Sequence, residues 1–149
     1  MTTMAGYVND FDANVQEAIK TVKIPYCVGN GSATVNSGAN GLGCKVFPLG
    51  GYEVGFSTSD TQYFPVDGAK LAYFDASTGT TANNKRVAYM NSSATSWLLR
   101  SPYTSDANSV WVVITNGNCR KYYCSNSFGI RPALILPYEF KVTDDQIVA

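Results

Sequence analysis

A short segment near the C-terminal end, C-R-K-Y-Y-C, combines thiol, cationic and phenolic side chains that are capable of chemistry. Its thiols belong to Cys119 and Cys124. Soft thiolates select Cu(I), and two of them on a tight turn would give this ion linear coordination. The same two residues would otherwise form a disulfide that closes a short ring and preorganises the tyrosines, or remain free thiols. The residues alone leave these three interpretations open.

The side chains between the two cysteines are typical of a binding surface. Tyr122 and Tyr123 offer a large contact area at a small entropic cost, while Arg120 and Lys121 add charge-directed hydrogen-bond donors. The chain contains no histidine, so imidazole metal ligands and the usual neutral-pH proton shuttle are missing. This absence excludes most hydrolase mechanisms, and on the interpretation of a binding surface we expect no enzyme activity, no cofactor and no metal. The alternative is a polar hairpin tip that binds nothing.

Composition predicts one loop-rich α+β domain that spans residues 1–149. A chain of this length buries about two thirds of the surface that its unfolded form exposes. Only 15% of the residues are charged, while the residues that favour turns and polar loops are abundant. The 11 basic residues balance the 11 acidic ones, so we expect neither nucleic acid nor a membrane as partner.

Apolar periodicity predicts the elements that position these side chains. A helix is predicted from Asn9 to Val22, with Asn9 or Asp10 as N-cap and Pro25 beyond its end. Residues 28–43 are rich in glycine and read as a surface loop without chemistry. The other predicted elements are short helices over Val66–Phe74 and Asn83–Asn91, short strands or buried turns over Cys44–Leu49 and Tyr52–Phe56, and strands over Trp97–Leu99 and Ile130–Leu136.

The segment V-W-V-V-I-T-N-G-N, from Val110 to Asn118, predicts a strand that enters a hairpin at Asn-Gly. The return strand would begin near Cys119. Strand alternation places Trp111 and Val113 on the core side, because tryptophan has the larger apolar surface to bury. Val112 and Ile114 are then expected to form an exposed apolar patch, unless both faces of the strand are buried.

Longer segments carry a resemblance to a known family. They are K-V-F-P-L-G-G-Y-E-V-G-F (45–56), Y-F-P-V-D-G-A-K-L (63–71), S-W-L-L-R-S-P (96–102) and F-G-I-R-P-A-L-I-L (128–136). They resemble a domain family common in gut bacteria and their phages, over about residues 9–137. Members typically show W-W-L-R-S-P and G-I-R-P-A-L or G-V-R-P-A-L. Leu98 therefore departs from the pattern at the second tryptophan, and Pro48 replaces a more usual apolar residue.

The closing pattern, Trp-Leu-Arg, a hairpin and then Gly-x-Arg-x-Ala, is also similar to the C-type-lectin-like fold in its sulfatase-modifying-factor branch. That branch includes the formylglycine-generating enzymes and the variable proteins of diversity-generating retroelements. In the variable proteins, adenine-directed mutagenesis scrambles chosen codons before an invariant end, and the fold displays the resulting residues. The resemblance implies that about residues 104–126 are variable and that 128–136 are the fixed end.

This resemblance implies a hypervariable ligand-binding domain. Its implied ligand-binding residues are Thr104, Asp106, Asn108, Val112, Ile114, Asn118, Cys119, Arg120, Lys121, Tyr122, Tyr123, Cys124 and Asn126. Adenine mutagenesis of AAY codons does not produce Trp or Lys, so Trp111 would be scaffold and Lys121 needs another codon. Arg100 and Arg131 recur in the fixed motifs, which implies buried, hydrogen-bonded structural roles.

The implied partner is a protein or glycan on a host-cell surface, and the implied location is a phage tail or a bacterial cell surface. Assembly as an oligomer is compatible with this function. Formylglycine-generating enzymes carry two cysteines at the same separation, in C-Y-R-Y-R-C, and use them with copper and oxygen to oxidise a substrate cysteine. A copper-dependent oxidase that uses Cys119 and Cys124 is therefore one alternative, and a purely structural virion module is another.

Overall fold

The computed structural model describes residues 6–30, 32–56, 64–75 and 79–141. Short helices and short strands are mixed throughout these ranges, so the fold is α+β, as the composition predicts. The helices are α1 (Ala13–Ala18), α2 (Ala72–Asp75) and α3 (Gly79–Arg86), with 3-10 turns at Tyr7–Asp10 and Gly38–Asn40. None of the described helices has the length and apolar character needed to cross a membrane.

The strands of the described ranges are two to six residues long. They are β1 (Val22–Ile24), β2 (Tyr26–Cys27), β3 (Val35–Asn36), β4 (Leu42–Cys44), β5 (Val46–Pro48), β6 (Ala88–Met90), β7 (Ser93–Thr95), β8 (Trp97–Pro102), β9 (Ser109–Val113), β10 (Cys119–Tyr123), β11 (Gly129–Ile130) and β12 (Pro132–Leu134).

A four-stranded sheet in the order β10-β9-β8-β11 organises the C-terminal half. Its strands are antiparallel except for β11, which runs parallel to β8. The other described strands pair as β1 with β4, β2 with β3, β5 with β12 and β6 with β7. β10 therefore lies at an edge of the central sheet.

The core lies against one face of this sheet. Trp97, Leu99, Trp111 and Val113 project from it into a cluster of buried aromatic and aliphatic side chains from the first half of the chain. Phe64 stacks on Trp111 with ring centroids 4.4 Å apart. The prediction that Trp111 and Val113 face the core is confirmed.

The predicted helix from Asn9 to Val22 is wrong in its extent. The backbone is extended at Phe11 and Asp12, so that a 3-10 turn and the six-residue α1 replace one long helix. Asp12, rather than Asn9 or Asp10, holds the N-cap position. The helix ends early because β1 follows, where Val22 pairs with Cys44. β-Branched side chains favour this pleated arrangement.

Two other predicted helices are shorter than expected. In the first, only Ala72–Asp75 is helical. In the second, helix α3 ends at Arg86 and the chain continues as the β6–β7 hairpin. The turn of this hairpin places Asn91 and Ser92 at φ 50° and 65°, which is the left-handed conformation that tight two-residue hairpins require. This local turn overrides the helical spacing of Val87 and Met90.

The remaining predictions are confirmed in part. The strand at Trp97–Leu99 is present and extends to Pro102. The predicted loop over residues 28–43 contains β3, a 3-10 turn and the start of β4. Residues 52–55 form a mostly buried turn. The predicted closing strand is divided at Arg131 into β11 and β12, which belong to different sheets and are half-buried or exposed.

Candidate ligand-binding face

The hairpin of β9 and β10 positions most of the predicted site. The two strands pair from Cys119 with Val113 to Tyr123 with Ser109, as the sequence predicts. Gly117 N–H donates to the Ile114 carbonyl at 2.8 Å, and Ile114 N–H donates to the Asn118 carbonyl at 2.8 Å. Gly117 has φ 81°, so the turn is a three-residue loop with a left-handed glycine.

The tip of this hairpin is docked on α3. The Gly117 carbonyl accepts a hydrogen bond from Arg86 Nε at 2.9 Å, and the Arg86 side chain is buried. A Cβ atom at Gly117 would lie 1.9 Å from the carbonyl oxygen of Asn83. The tip therefore belongs to the fold. Any binding surface must lie along β10 and the adjoining loops.

The two faces of the hairpin have different environments. Cys119, Trp111 and Val113 lie on the core face, and Val110, Val112 and Tyr122 lie on the opposite one, the outer face. Val112 is 0% exposed, so its predicted place in an exposed patch is wrong. It sits on a central strand, paired with Leu98 of β8 on one side and Arg120 of β10 on the other, so neighbours flank it on both sides.

Other predicted contact residues differ in accessibility. Thr104 is buried and offers no contact surface, because the loop folds back where Tyr103 N–H donates to the Ser109 carbonyl at 3.0 Å. Asp106, Ile114, Cys119 and Tyr122 are half-buried. The exposed predicted residues are Asn108, Asn118, Arg120, Lys121, Tyr123, Cys124 and Asn126. Most of the exposed set therefore lies on β10 and just beyond it.

The 103–109 loop is joined electrostatically to β10. Lys121 Nζ lies 3.7 Å from Asp106 Oδ2 and 4.5 Å from the centre of the Tyr103 ring. Desolvation acts to raise the pKa of the Asp106 carboxyl, but hydrogen bonds from Ser109 and Asn108 and the charge of Lys121 outweigh it and lower the pKa. Lys121 is thus held against the loop, while Arg120 extends from the outer face.

A groove of about 290 Å³ opens on the outer face. Its apolar lining comes from Leu98, Val110, Phe128 and Ile130, and its polar rim from Cys124, Asn126 and Ser127. The Tyr122 ring lies 5.0 Å from the Phe128 ring and supports it. Sequence reasoning missed the four apolar residues as site residues. The available signal was alternation, which puts Val110 on the same face as Val112.

A buried ion pair joins β8 to the 50–53 segment. Arg100 Nη2 is 3.0 Å from Glu53 Oε1, and Arg100 Nη1 donates to Glu53 Oε2 at 3.1 Å and to the Pro48 carbonyl at 2.8 Å. Gly50 N–H donates to Glu53 Oε2 at 2.8 Å. The predicted structural role of Arg100 is confirmed.

Asp67 and Ser101 complete what we call the Arg100 cluster, together with Arg100, Glu53 and Gly50. Ser101 Oγ accepts from Gly51 N–H and donates to Asp67 Oδ2, both at 2.7 Å. Asp67 Oδ1 is buried without a hydrogen-bond partner in the described part of the chain. Burial raises the pKa of the Asp67 carboxyl, and the Ser101 hydrogen bond and the Arg100 charge counteract this only in part. Segments 45–56, 63–71 and 96–102 therefore meet in a structural cluster.

Arg131 has a different environment from the one expected. Its guanidinium lies 5.3 Å from the Trp97 ring and 5.6 Å from the Phe74 ring. Its Nη1 atom is buried and has no hydrogen-bond partner among the described residues. Burial lowers the pKa of this guanidinium. The contacts that place Arg131 in the fold are thus cation–π contacts with two core rings.

The extent of the fold can be compared with known proteins. Residues 4–138 match the family described as Domain of unknown function (DUF6273). The chain belongs to this family. No curated protein and no solved structure matches it. The matched range includes both the Arg100 cluster and the outer-face groove.

The two C-terminal cysteines of this DUF6273 domain are not arranged as a pair. They lie at opposite ends of the extended β10, about 17 Å apart along the strand, whereas a disulfide needs Cα atoms within about 7 Å. Cys119 packs against the core, and Cys124 is exposed on the outer-face groove. A disulfide ring between them, one of the three interpretations left open by the sequence, is therefore wrong, because the turn precedes Cys119. No cluster of three or more metal-binding side chains occurs in the described ranges.

Thiol labelling should rank the cysteines of this domain by accessibility. We expect iodoacetamide to modify Cys124 first and Cys27 last, because Cys27 is buried and burial raises the pKa of its thiol. Peptide mass spectrometry over a time course measures the order. Protection of both Cys119 and Cys124 that is relieved by a reductant would contradict the structure.

Proposed function

We propose that this DUF6273 domain is a ligand-binding module whose variable side chains recognise a protein or glycan on a host-cell surface. The contact surface comprises the exposed side chains of β10 together with loops 105–108 and 124–127. In this proposal the scaffold is C-type-lectin-like, and the domain serves at a phage tail or a bacterial cell surface. Residues 104–126 are diversified before the fixed segment 128–136.

One observation carries the proposal, namely the distribution of burial within residues 104–126. The buried positions are Thr104 and a central block within 109–117, which is formed by Ser109, Trp111, Val112, Val113 and Gly117. From Asn118 to Ser127 every position is exposed except Cys119 and Tyr122, which are half-buried, and the segment carries Arg, Lys, Tyr and Asn side chains. Such side chains combine rigid aromatic area with adaptable hydrogen bonding, as in antibody paratopes.

The order of the strands supports the proposal that the fold is C-type-lectin-like. An antiparallel hairpin, β9–β10, is followed by β11, which returns beside β8, and by β12, which leaves for another sheet. In the Gly-x-Arg-x-Ala pattern, Gly129 begins β11 and Arg131 directly follows it. This order is compatible with the C-type-lectin-like fold that the sequence resembles.

Comparison of the gene with a neighbouring template repeat tests the diversification. We expect mismatches only at template adenines, in codons of exposed or half-buried positions such as 108, 118, 120, 123 and 126. The buried block at 109, 111–113 and 117 should match the template, because substitution there would damage the fold. Mismatches spread over all four bases, or concentrated in the buried block, would refute this part of the proposal.

Binding measurements should single out Tyr123, which is 67% exposed on β10. Tyr123→Ala is expected to weaken binding to bacterial cells or arrayed glycans recognised by the wild type by about 30-fold or more, as for an aromatic hot spot. Tyr89→Ala is the matched control, because Tyr89 is 70% exposed on the remote β6–β7 hairpin. Equal affinities for the two variants would favour a structural module instead.

A further inference from the structure

We infer that the outer-face groove is a socket for one apolar side chain of a protein partner, with a carboxylate of that partner placed beside it on Arg120. The inference rests on the proposed binding function and narrows it from a protein or glycan to a protein. It is carried by the lining of the groove, by its size and by the charges around it.

The lining favours an apolar occupant. Leu98, Val110 and Ile130 provide aliphatic surface and Phe128 provides an aromatic wall, while the polar groups come from the 124–127 segment alone. A sugar needs several hydrogen-bonding groups that converge on its hydroxyls, because each hydroxyl buried without a partner costs free energy. This groove would leave the hydroxyls that face Leu98 and Val110 without partners. An aromatic or branched aliphatic side chain loses nothing there.

The size of the groove limits the occupant to a single group. Its volume of about 290 Å³ lies at the lower end of the range for small-molecule pockets, about 300–1,000 Å³. A side chain that protrudes from a protein surface fits this volume, and an anchor in a pocket surrounded by a polar rim is the usual form of an interface hot spot.

The charges near the groove indicate which charged group of the partner lies beside its apolar side chain. No acidic residue lines the groove. Arg120 lies on the same face, in a cross-strand row with Val112 and Leu98, and is exposed. Lys121 is engaged by Asp106, whereas Arg120 has no acidic partner among the described residues. The field beside the groove is therefore positive, and complementarity calls for a carboxylate on the partner.

Two probes with the same ring and opposite charge test this socket. We would titrate indole-3-acetate and tryptamine into the ¹⁵N-labelled domain at low salt and follow backbone amide signals. Indole-3-acetate should shift the signals of the residues that line the groove, with an affinity about fivefold higher than that of tryptamine. Arg120→Gln should remove this preference while both probes still bind.

The second part of the experiment uses variants in which a side chain of the domain itself fills the groove. Ser127→Trp adds an indole at the exposed rim and should abolish the shifts, and an unchanged remainder of the spectrum shows that the fold is intact. Leu98→Trp, which fills the groove from β8, should do the same. Shifts that survive both variants, shifts outside the groove, or no shifts up to about 10 mM probe would overturn the assignment.

A glycan socket is the competing outcome of the same experiment. Simple monosaccharides that shift the groove signals at lower concentration than indole-3-acetate would overturn the inference. The experiments distinguish failure of the groove assignment from failure of the proposed binding function. If the probes fail but Tyr123→Ala still weakens cell binding, only the groove assignment is lost. If both fail, the binding function is lost as well.

Discussion

Arg100→Met is expected to lower the free energy of unfolding by about 3–5 kcal/mol, the usual cost of removing one partner from a buried ion pair. The variant would leave the Glu53 carboxylate buried without its cation, and the Pro48 carbonyl without its donor. Urea unfolding followed by tryptophan fluorescence measures the change, because Trp97 and Trp111 are both buried in the adjoining core.

The loss should depend on pH in a defined direction. Burial raises the pKa of the Asp67 carboxyl above its unfolded value of about 3.9, so the folded state takes up this proton more readily than the unfolded state. A group with a raised pKa contributes stability that is complete below the unfolded pKa and is lost as the pH rises through the folded pKa. The charge of Arg100 lowers the pKa of the Asp67 carboxyl, so this pKa should rise further when Arg100 is removed. The free energy of unfolding should then fall more steeply as the pH rises. The deficit of Arg100→Met should therefore be smaller at pH 4 than at pH 7.

Two further variants separate charge from geometry. Arg100→Lys keeps the charge but cannot reproduce the forked contacts to Glu53 and the Pro48 carbonyl, so we expect an intermediate loss. Arg120→Met removes an exposed arginine and should change stability by less than about 0.5 kcal/mol. A loss for Arg100→Met no larger than that for Arg120→Met would mean that the Arg100 cluster does not stabilise the fold.

Gly117→Ala is expected to destabilise the domain by about 2–5 kcal/mol, the sum of a left-handed backbone and an overpacked contact. The added Cβ would lie 1.9 Å from the Asn83 carbonyl oxygen of α3, which is backbone and cannot swing aside. Either the hairpin tip or the end of α3 must move. The hydrogen bond from Arg86 to the Gly117 carbonyl should then weaken. Thermal and urea unfolding measure the loss.

Gly38→Ala is the matched control for this clash. Gly38 also has a left-handed backbone, at φ 57°, but a Cβ there would meet nothing within 4 Å. We expect Gly38→Ala to lower the free energy of unfolding only by the cost of a left-handed alanine, about 1–2 kcal/mol. The difference between the two variants isolates the contact with Asn83. Equal losses would show that the tip is not packed on α3 in solution.

The Arg100 cluster and the hairpin tip at Gly117 matter for the proposed function, because a surface whose residues vary needs a scaffold whose residues stay constant. The Arg100 cluster ties the segments around Glu53, Asp67 and Arg100 together, and none of its contacts involves β10. The docked tip fixes where β10 begins. Substitutions at Arg120, Tyr123 or Asn126 touch neither anchor, so they can change the surface without a large cost in stability.

Residue order alone determined those features that arise from local chemistry. The Asn-Gly turn after a β-branched run predicted the β9–β10 hairpin, because a left-handed glycine next to strand-forming residues has few alternatives. The size of Trp111 predicted its inward orientation, and the mixture of glycine and short polar residues predicted an α+β fold rich in loops. The polar and aromatic character of residues 118–126 predicted a candidate contact surface.

Tertiary structure decided the features that depend on distant segments. The spacing from Asn9 to Val22 indicated a helix, but strand pairing of Val22 with Cys44 ended it early. Alternation could not show that Val112 is buried, because its burial depends on the strands that pair with β9 on both sides. The groove required β8, β9 and β11 to meet. Local patterns specify backbone conformation and polarity, whereas burial and pockets depend on which distant side chains the fold brings together.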